Sequence, residues 1–278
     1  QTCALPISAN LRKTQLKQFF EYARTIMSMR NIPFPISMTE KFHRSKRAIY
    51  EFMAEFLNNA STDYQEGKNI YEKCRSIITD LELNKDFSSD TEIFEEICRY
   101  SGNIRTFYHD CICVAAYSAY FAQYLGWTAE KREAIAIAGL LHNIGLSQVS
   151  TVIGDKPFAD LSPDEFNEYK MYPERSVNLV KRKKVPISQD ISDGIWQHRE
   201  NIRGTGFPKA VQGKDFSEFG KLLSFAYRFH EMTALRDGVQ AYSPQAAIED
   251  FRDKALSGEG EHDLLIATNI FKKLKAAA

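Results

Sequence analysis

The distribution of proline constrains the fold of this chain more than any other feature of its sequence. Pro33 and Pro35 are followed by no proline until Pro157, and this interval of more than 100 residues also holds few glycines. Proline costs about 3 kcal/mol in the interior of a helix, so its absence over such a length favours long helices. Strand signals are weak, because the chain has no Asn-Gly hairpin turn and no sustained alternation of apolar and polar residues. The sequence therefore predicts an all-α fold.

Cap residues mark where the predicted helices begin and end. Ser162 followed by Pro163 is typical of a helix start, because serine caps free backbone N–H groups and proline suits the first helical position. Gly126 is typical of a helix end, since glycine readily adopts the left-handed conformation found there. Helices are predicted at residues 11–29, 38–59, 61–83, 88–101, 104–125 and 128–142, from 162 onward, and at 173–184, 188–199, 217–236, 244–256 and 261–275.

The chain divides into three predicted segments. Residues 1–8 are predicted to be an artefact, because Gln1 to Ile7 read QTCALPI, the in-frame translation of a common sequencing adapter. We therefore expect that Cys3 is foreign to the natural protein and that the natural N-terminus is missing. Residues 9–102 form a predicted helical N-terminal region without a constellation of reactive residues. Residues 103–278 form a second predicted domain, which contains the candidate site residues.

Charge and composition argue against several classes of protein. Lys and Arg (36) balance Asp and Glu (36), whereas a DNA-binding protein normally shows a basic excess. No apolar run approaches the ~18 residues of a membrane span. Hydrophobic residues make up 44% of the chain, which is sufficient for a sizeable core. The cysteines match no zinc-ribbon spacing and are interpreted as reduced cytoplasmic thiols that pack as small hydrophobic groups: Cys3, Cys74, Cys98, Cys111 and Cys113.

A helical wheel of the helix around Val114 predicts a buried carboxylate. Asp110 lies about 40° from the centre of the apolar face, whereas His109 lies about 140° away and is predicted to face outward. A carboxylate on an apolar face requires a cation, a hydrogen-bond donor or a metal, because unpaired burial is costly. The alternative is that Asp110 lies at the edge of the face and reaches water.

Three histidines on later helices complete a set of candidate metal ligands. His142 shares an apolar face and lies at a predicted helix end, His198 precedes a glycine-rich loop, and His230 lies on the helix that carries Tyr227. Helical metal sites are built from separate segments that each contribute such a group. Hydrogen-bonded histidines in an ordinary helical core would give the same pattern, so both interpretations stay open.

Three motifs resemble those of the HD-GYP family, a bacterial branch of the HD-domain metal-dependent phosphohydrolases. They read LLHNIG from Leu140, HRENIRGTGFP from His198 and KLLSFAYRFH from Lys221. Their order and spacing agree with the family over about residues 103–275. The resemblance implies an HD-type helical bundle and, as the family's characteristic activity, hydrolysis of cyclic di-GMP.

The chain departs from the family at most positions that bind metal. Asn143 replaces the bridging aspartate of the HD motif and Leu146 replaces its lysine, so no residue is assigned as catalytic. Asp110 lies where the family has an upstream metal-binding histidine. Four further positions have lost the family's residue: Tyr172 and Arg199, which each replace a histidine, Tyr227, which replaces the late aspartate, and Arg203, which replaces the aspartate of the loop motif.

These departures leave two hypotheses for function. The first is a degenerate HD-GYP-like signalling domain with impaired catalysis, which acts by binding a cyclic dinucleotide or by regulating a signalling protein, with a homodimer as its candidate assembly. The second is an active cyclic-di-GMP phosphodiesterase with altered ligands. The resemblance implies either one divalent metal, iron or manganese, on Asp110, His142, His198 and His230, or no metal. Candidate phosphate or loop contacts are Arg199, Arg203, Gly204, Gly206, Phe207 and Pro208. A helical interaction module whose resemblance is only ancestral is a third possibility.

Overall fold

A computed structural model describes residues 38–59, 62–81, 83, 91–102, 107–154, 156, 158–235 and 240–277. The described residues form twelve helices and no strand, so the predicted all-α fold is confirmed. The predicted helix at 11–29 lies outside the described residues. The helices are α1 Met38–Asn58, α2 Tyr64–Asp80, α3 Thr91–Ser101, α4 Phe107–Tyr124, α5 Ala129–Leu141, α6 Thr151–Gly154, α7 Pro163–Tyr169, α8 Tyr172–Arg182, α9 Gln189–Gln197, α10 Glu218–Thr233, α11 Pro244–Ser257 and α12 Leu264–Ala277. Short 3-10 turns lie at Ile144–Gln148, Phe158–Asp160 and Gly213–Asp215.

Side-chain caps fix the starts of several helices where the sequence predicts them. At α7 the Ser162 hydroxyl accepts a hydrogen bond from the Glu165 backbone N–H, while the Glu165 carboxylate accepts one from the Ser162 N–H. This reciprocal pair satisfies two backbone donors that the first turn leaves free. Gly126 follows α4 in a left-handed conformation (φ 74°), as predicted for a C-terminal cap. The predicted end of α10 at residue 236 is too late, because the helix stops at Thr233.

Helix α4 lies at the centre of the hydrophobic core. Every residue from His109 to Ala122 is buried, because α4 packs against α1, α3, α5, α10 and α12. Residues on both sides of the predicted boundary at 102/103 contribute to this core, among them Ile49, Ile78 and Phe121. All described residues belong to one compact unit, Met38–Ala278. The division at 102/103 stays a prediction about the organisation of the chain.

A second, smaller apolar cluster supports the loop after α9. Val149, Ile153, Tyr172 and Phe207 form its buried centre, and Phe166 is among the half-buried residues around it. Phe207 thereby fixes the glycine-rich loop to the segment that follows α5. Among the described helices, none is both long and apolar enough to cross a membrane.

Candidate functional site

His142 and His198 meet at the position of the HD-type motifs. Each histidine directly follows the last residue of its helix, α5 or α9, and both rings are buried. The rings contact edge to face with centroids 4.8 Å apart. Each Nδ1 lies 2.6 Å from a backbone carbonyl oxygen three residues earlier, that of Gly139 or Ile195. A carbonyl can only accept, so Nδ1 carries the proton and Nε2 is the acceptor atom of each ring.

Tyr172 occupies the coordination space of His198. Its hydroxyl donates to His198 Nε2 at 2.8 Å, so both ring nitrogens of His198 are hydrogen-bonded. Gly145 permits this approach, because a Cβ there would overlap the backbone at Tyr172 and Ser176. Burial, together with the neighbouring His142 and Arg199, holds the pKa of His198 well below its ordinary value. His198 is therefore a neutral imidazole at neutral pH.

Arg199 follows His198 and lies among the aromatic rings next to the two histidines. Its guanidinium lies 4.6 Å from the ring centroid of Tyr227 and 4.8 Å from that of Phe207. It donates to the Tyr227 hydroxyl and lies 4.0 Å from a carboxylate oxygen of Glu231. Cation–π contacts of this kind are strongest when the cation is removed from water. We call His142, Tyr172, His198, Arg199 and Tyr227 the motif cluster.

The donor chemistry of the motif cluster does not fit the binuclear iron or manganese centre that the family resemblance implies. Such a centre requires about six nitrogen or oxygen ligands per metal and a bridging carboxylate. Asn143 offers only a neutral amide at the bridging position, and Tyr172 already holds the Nε2 of His198. Arg199 adds a fixed positive charge to the same space.

Asp110 and His230 meet in a second, buried group of side chains. Asp110 Oδ1 lies 2.8 Å from His230 Nε2, and the Ser101 hydroxyl lies 2.7 Å from His230 Nδ1. The inward orientation predicted for Asp110 is confirmed, since only 6% of it is exposed. His109 and Cys113 lie alongside, with His109 Nε2 3.5 Å from Cys113 Sγ. We call His109, Asp110, Cys113 and His230 the buried donor cluster.

The predicted ligand set therefore divides between two clusters. Among the residues that the structure describes, one group of three His, Cys or carboxylate donors has all its ligand atoms within 4.8 Å of one another: His109, Cys113 and His230. Asp110, His142 and His198 do not form such a group. The reason lies on α10, where Tyr227 contacts His142 and His198, while His230, one turn later, contacts α3 and α4.

The prediction that His109 faces outward is wrong. His109 is 1% exposed, its Nε2 lies 2.9 Å from the carbonyl oxygen of Tyr100, and its ring lies 5.4 Å from that of His230. The wheel assumed that the face opposite the apolar direction meets solvent, but in α4 that face packs on other helices. The sequence did carry a signal, because no charged residue occurs between Cys111 and Ala122. Burial lowers the pKa of His109 to about 4, so its ring is neutral at neutral pH.

The glycine-rich loop is held by the chain around it. A Cβ at Gly206 would overlap the backbone of Arg199 and Glu200, so only glycine fits there. The Glu200 carboxylate accepts hydrogen bonds from the backbone N–H groups of Lys209 (2.7 Å) and Val211 (3.2 Å). Gly204 adopts a left-handed conformation and a cis peptide bond joins Phe207 to Pro208.

The two arginines predicted as phosphate contacts have different surroundings. Arg199 is 14% exposed in its side chain and lies among aromatic rings. Arg203 is exposed, donates to the backbone carbonyl of Glu259 and lines a cavity of about 400 Å³ with Arg228 and Lys254. No described feature joins Arg199 and Arg203 into one phosphate site.

Comparison with known proteins assigns the family. The HD domain family matches residues 69–259, which is more than half of the chain, and this protein therefore belongs to the HD domain family. A solved structure with a similar fold is that of an HDG"Y"P protein from Bdellovibrio bacteriovorus. It superimposes with a TM-score of 0.63 at 19% identity over 95% of this chain and 81% of that one, which shows a shared fold.

Two curated relatives come from Vibrio cholerae. The chain is 26% identical over 149 residues to 3'3'-cGAMP-specific phosphodiesterase 2, and this alignment covers 54% of the chain and 28% of the relative. It is 28% identical over 123 residues to 3'3'-cGAMP-specific phosphodiesterase 3, and this alignment covers 44% of the chain and 26% of the relative. The matched region thus spans little more than a quarter of the length of either relative.

Proposed function

We propose that this chain is an HD-GYP-type signalling domain that does not hydrolyse cyclic dinucleotides and acts by binding a ligand or regulating a partner. One observation carries the proposal: Tyr172 and Arg199 occupy the space beside His142 and His198 where metal-binding residues would be needed. Hydrolysis in metal-dependent enzymes depends on a metal that converts bound water into a nucleophile. Without that metal, the motif cluster lacks the Lewis acid that metal-dependent hydrolysis uses to activate water.

The electrostatics of Arg199 support the same proposal. A unit positive charge 4 Å from a dication is repelled on the order of 8 kcal/mol at an effective dielectric of 20, twice the value for two unit charges. Glu231, at 4.0 Å, offsets part of the charge of Arg199. No carboxylate replaces the missing bridge at Asn143. A dication at this position would therefore face a net repulsion that the HD-type ligand set avoids.

The relatives suggest which ligands to test first. Their names describe specificity for 3'3'-cGAMP, and the HD-GYP resemblance adds cyclic di-GMP. The test uses the purified full chain with manganese, iron or magnesium, and measures hydrolysis of both dinucleotides together with their binding by calorimetry. We expect no turnover above a heat-denatured control. Turnover that disappears in His142→Ala would overturn the proposal.

An active enzyme with altered ligands is the second candidate, and one observation favours it. The Oδ1 atom of Asn143 is buried, and none of the described residues forms a hydrogen bond with it. An amide oxygen in that position beside His142 could bind a single cation. This candidate requires that His142→Ala and Asn143→Ala both abolish metal-dependent turnover, while the inactive-domain proposal requires that the wild type has none to lose.

A further inference from the structure

We propose that the buried donor cluster is a structural zinc site, one helical turn away from the motif cluster and independent of it. His109, Cys113 and His230, whose ligand atoms lie within 4.8 Å of one another, would supply three ligands. Asp110 lies outside that group, 2.8 Å from His230 Nε2, and its carboxylate would move in as the fourth. Structural zinc sites have four protein ligands and no open position. The site would join α4 to α10 and thereby stabilise the centre of the fold.

The spacing on α4 suits two ligands of one metal. His109 and Cys113 are four residues apart, so their side chains lie on the same side of the helix. Their Nε2 and Sγ atoms are 3.5 Å apart. Zinc bonds of about 2.0 Å to nitrogen and about 2.3 Å to sulfur, at a tetrahedral angle, place the two atoms about 3.5 Å apart. The two atoms already have this separation.

The surroundings of His230 match those of a metal-bound histidine. Such a histidine donates its second ring N–H to a neighbouring acceptor, which fixes the orientation of the ring. The Ser101 hydroxyl lies 2.7 Å from Nδ1 and can accept this bond while Nε2 points to Asp110. Oxygen and nitrogen ligands of one zinc lie about 3.3 Å apart. The Asp110–His230 pair, now at 2.8 Å, would open by about 0.5 Å.

The charges of the cluster balance a divalent ion. Both histidine rings are more than 98% buried, and Asp110 and Cys113 are buried beside them. A thiolate at Cys113 and the carboxylate of Asp110 together neutralise Zn²⁺, with the two imidazoles neutral. Burial of a charge is tolerated only where it is compensated in this way. A thiolate ligand also favours zinc over magnesium or manganese, which prefer oxygen.

Zinc would replace hydrogen bonds that now satisfy the same atoms. His109 Nε2 would leave the carbonyl oxygen of Tyr100, and His230 Nε2 would leave Asp110 Oδ1. The competing interpretation is a permanent hydrogen-bonded core without metal. The two interpretations differ in zinc stoichiometry, in thermal stability with zinc and in the spectrum of a cobalt-substituted protein.

The experiment titrates the full chain, stripped of metal by a chelator, with Zn²⁺ and separately with Co²⁺. We expect one zinc per chain by elemental analysis, a higher melting temperature, and a thiolate-to-cobalt charge-transfer band with the intense visible bands of tetrahedral Co²⁺. Absence of zinc binding by the folded wild-type chain, or a cobalt spectrum without the thiolate band, would overturn the proposal. These wild-type measurements do not depend on how any variant folds.

Matched cysteine variants identify the ligand. Cys113→Ala should lose the thiolate band and lower zinc affinity at least tenfold. Cys111→Ala is the control, because Cys111 is buried on the same helix but is not part of the cluster. His142→Ala should keep one zinc per chain, which separates this site from the motif cluster. Equal zinc binding by the two cysteine variants would contradict the assignment.

Discussion

The motif cluster and the buried donor cluster each take a side chain from α10 but use it differently. Tyr227 brings a ring and a hydroxyl to Arg199, between two histidines whose helices end there. His230, three residues later, brings an imidazole to the carboxylate of Asp110, next to His109 and Cys113 on α4. Each cluster contains two buried histidines. In the motif cluster, their neighbours are the guanidinium of Arg199 and the phenols of two tyrosines. In the buried donor cluster, their neighbours are the carboxylate of Asp110 and the thiol of Cys113.

This difference shows that the number of histidines does not decide whether a site suits a metal. Neutral imidazoles bind a dication only where nearby anions compensate its charge. In the motif cluster the charge beside the rings is the positive charge of Arg199. In the buried donor cluster it is the negative charge of Asp110. The family motif therefore marks the position of the two histidines but not the chemistry around them.

The largest expected effect tests the Asp110–His230 hydrogen bond of the buried donor cluster. In the presence of a chelator, His230→Ala should lower the free energy of unfolding by about 3–5 kcal/mol, because it leaves the Asp110 carboxylate buried without its imidazole. The measurement is urea unfolding followed by circular dichroism. His230→Gln is the control, since an amide can still donate to Asp110 and should cost less. Equal losses in both variants would mean that cavity formation, not the pair, dominates.

The corresponding test of the motif cluster is Tyr172→Phe. The ring would still fill its place in the apolar cluster, but His198 Nε2 would lose its donor. A buried acceptor without a partner costs about 1–3 kcal/mol, so urea unfolding should show a loss in this range. Tyr169→Phe, in the adjacent half-buried ring, is the comparison variant. No loss in Tyr172→Phe would indicate that water or a ligand replaces the hydroxyl.

The sequence predicts much of the fold but only part of the site. Proline spacing and cap residues locate the described helices except the short α6, because these are local preferences of the backbone. The meeting of His142 and His198 follows from motif order, which the resemblance supplies. The burial of His109 was missed, because a helix wheel cannot tell solvent from a neighbouring helix. Cys113 was interpreted as a small hydrophobic residue, since only the packing of α4 against α10 brings it near His230.

The pH dependence of stability provides a further comparison. His198 has a folded pKa well below that of the unfolded chain, so the unfolded state binds a proton first as the pH falls. The contribution of His198 to the free energy of unfolding is complete above about pH 6.5. Below that pH it falls by about 1.4 kcal/mol per pH unit. His198→Gln should remove this slope from urea unfolding between about pH 6.5 and pH 4.5.

Two controls test whether the change in slope comes from His198. Above pH 7 the variant and the wild type should show the same slope, because His198 is neutral there in both the folded and the unfolded chain. His262→Gln should act in the same direction as His198→Gln, since burial lowers the pKa of His262 to about 3. An unchanged acid slope in His198→Gln would show that this ring is protonated in the folded protein.

The smallest expected effect separates the two arginines. Arg203→Ala removes an exposed side chain whose guanidinium contacts the Glu259 carbonyl, so urea unfolding should change by no more than about 0.5 kcal/mol. Arg199→Ala should cost more, because it removes two ring contacts and the bond to Tyr227. If Arg203→Ala nevertheless weakens binding of a cyclic dinucleotide while stability is unchanged, the exposed arginine is a phosphate contact. A loss of binding confined to Arg199→Ala would instead assign the ligand to the motif cluster, where the same guanidinium that disfavours a metal would attract a phosphate.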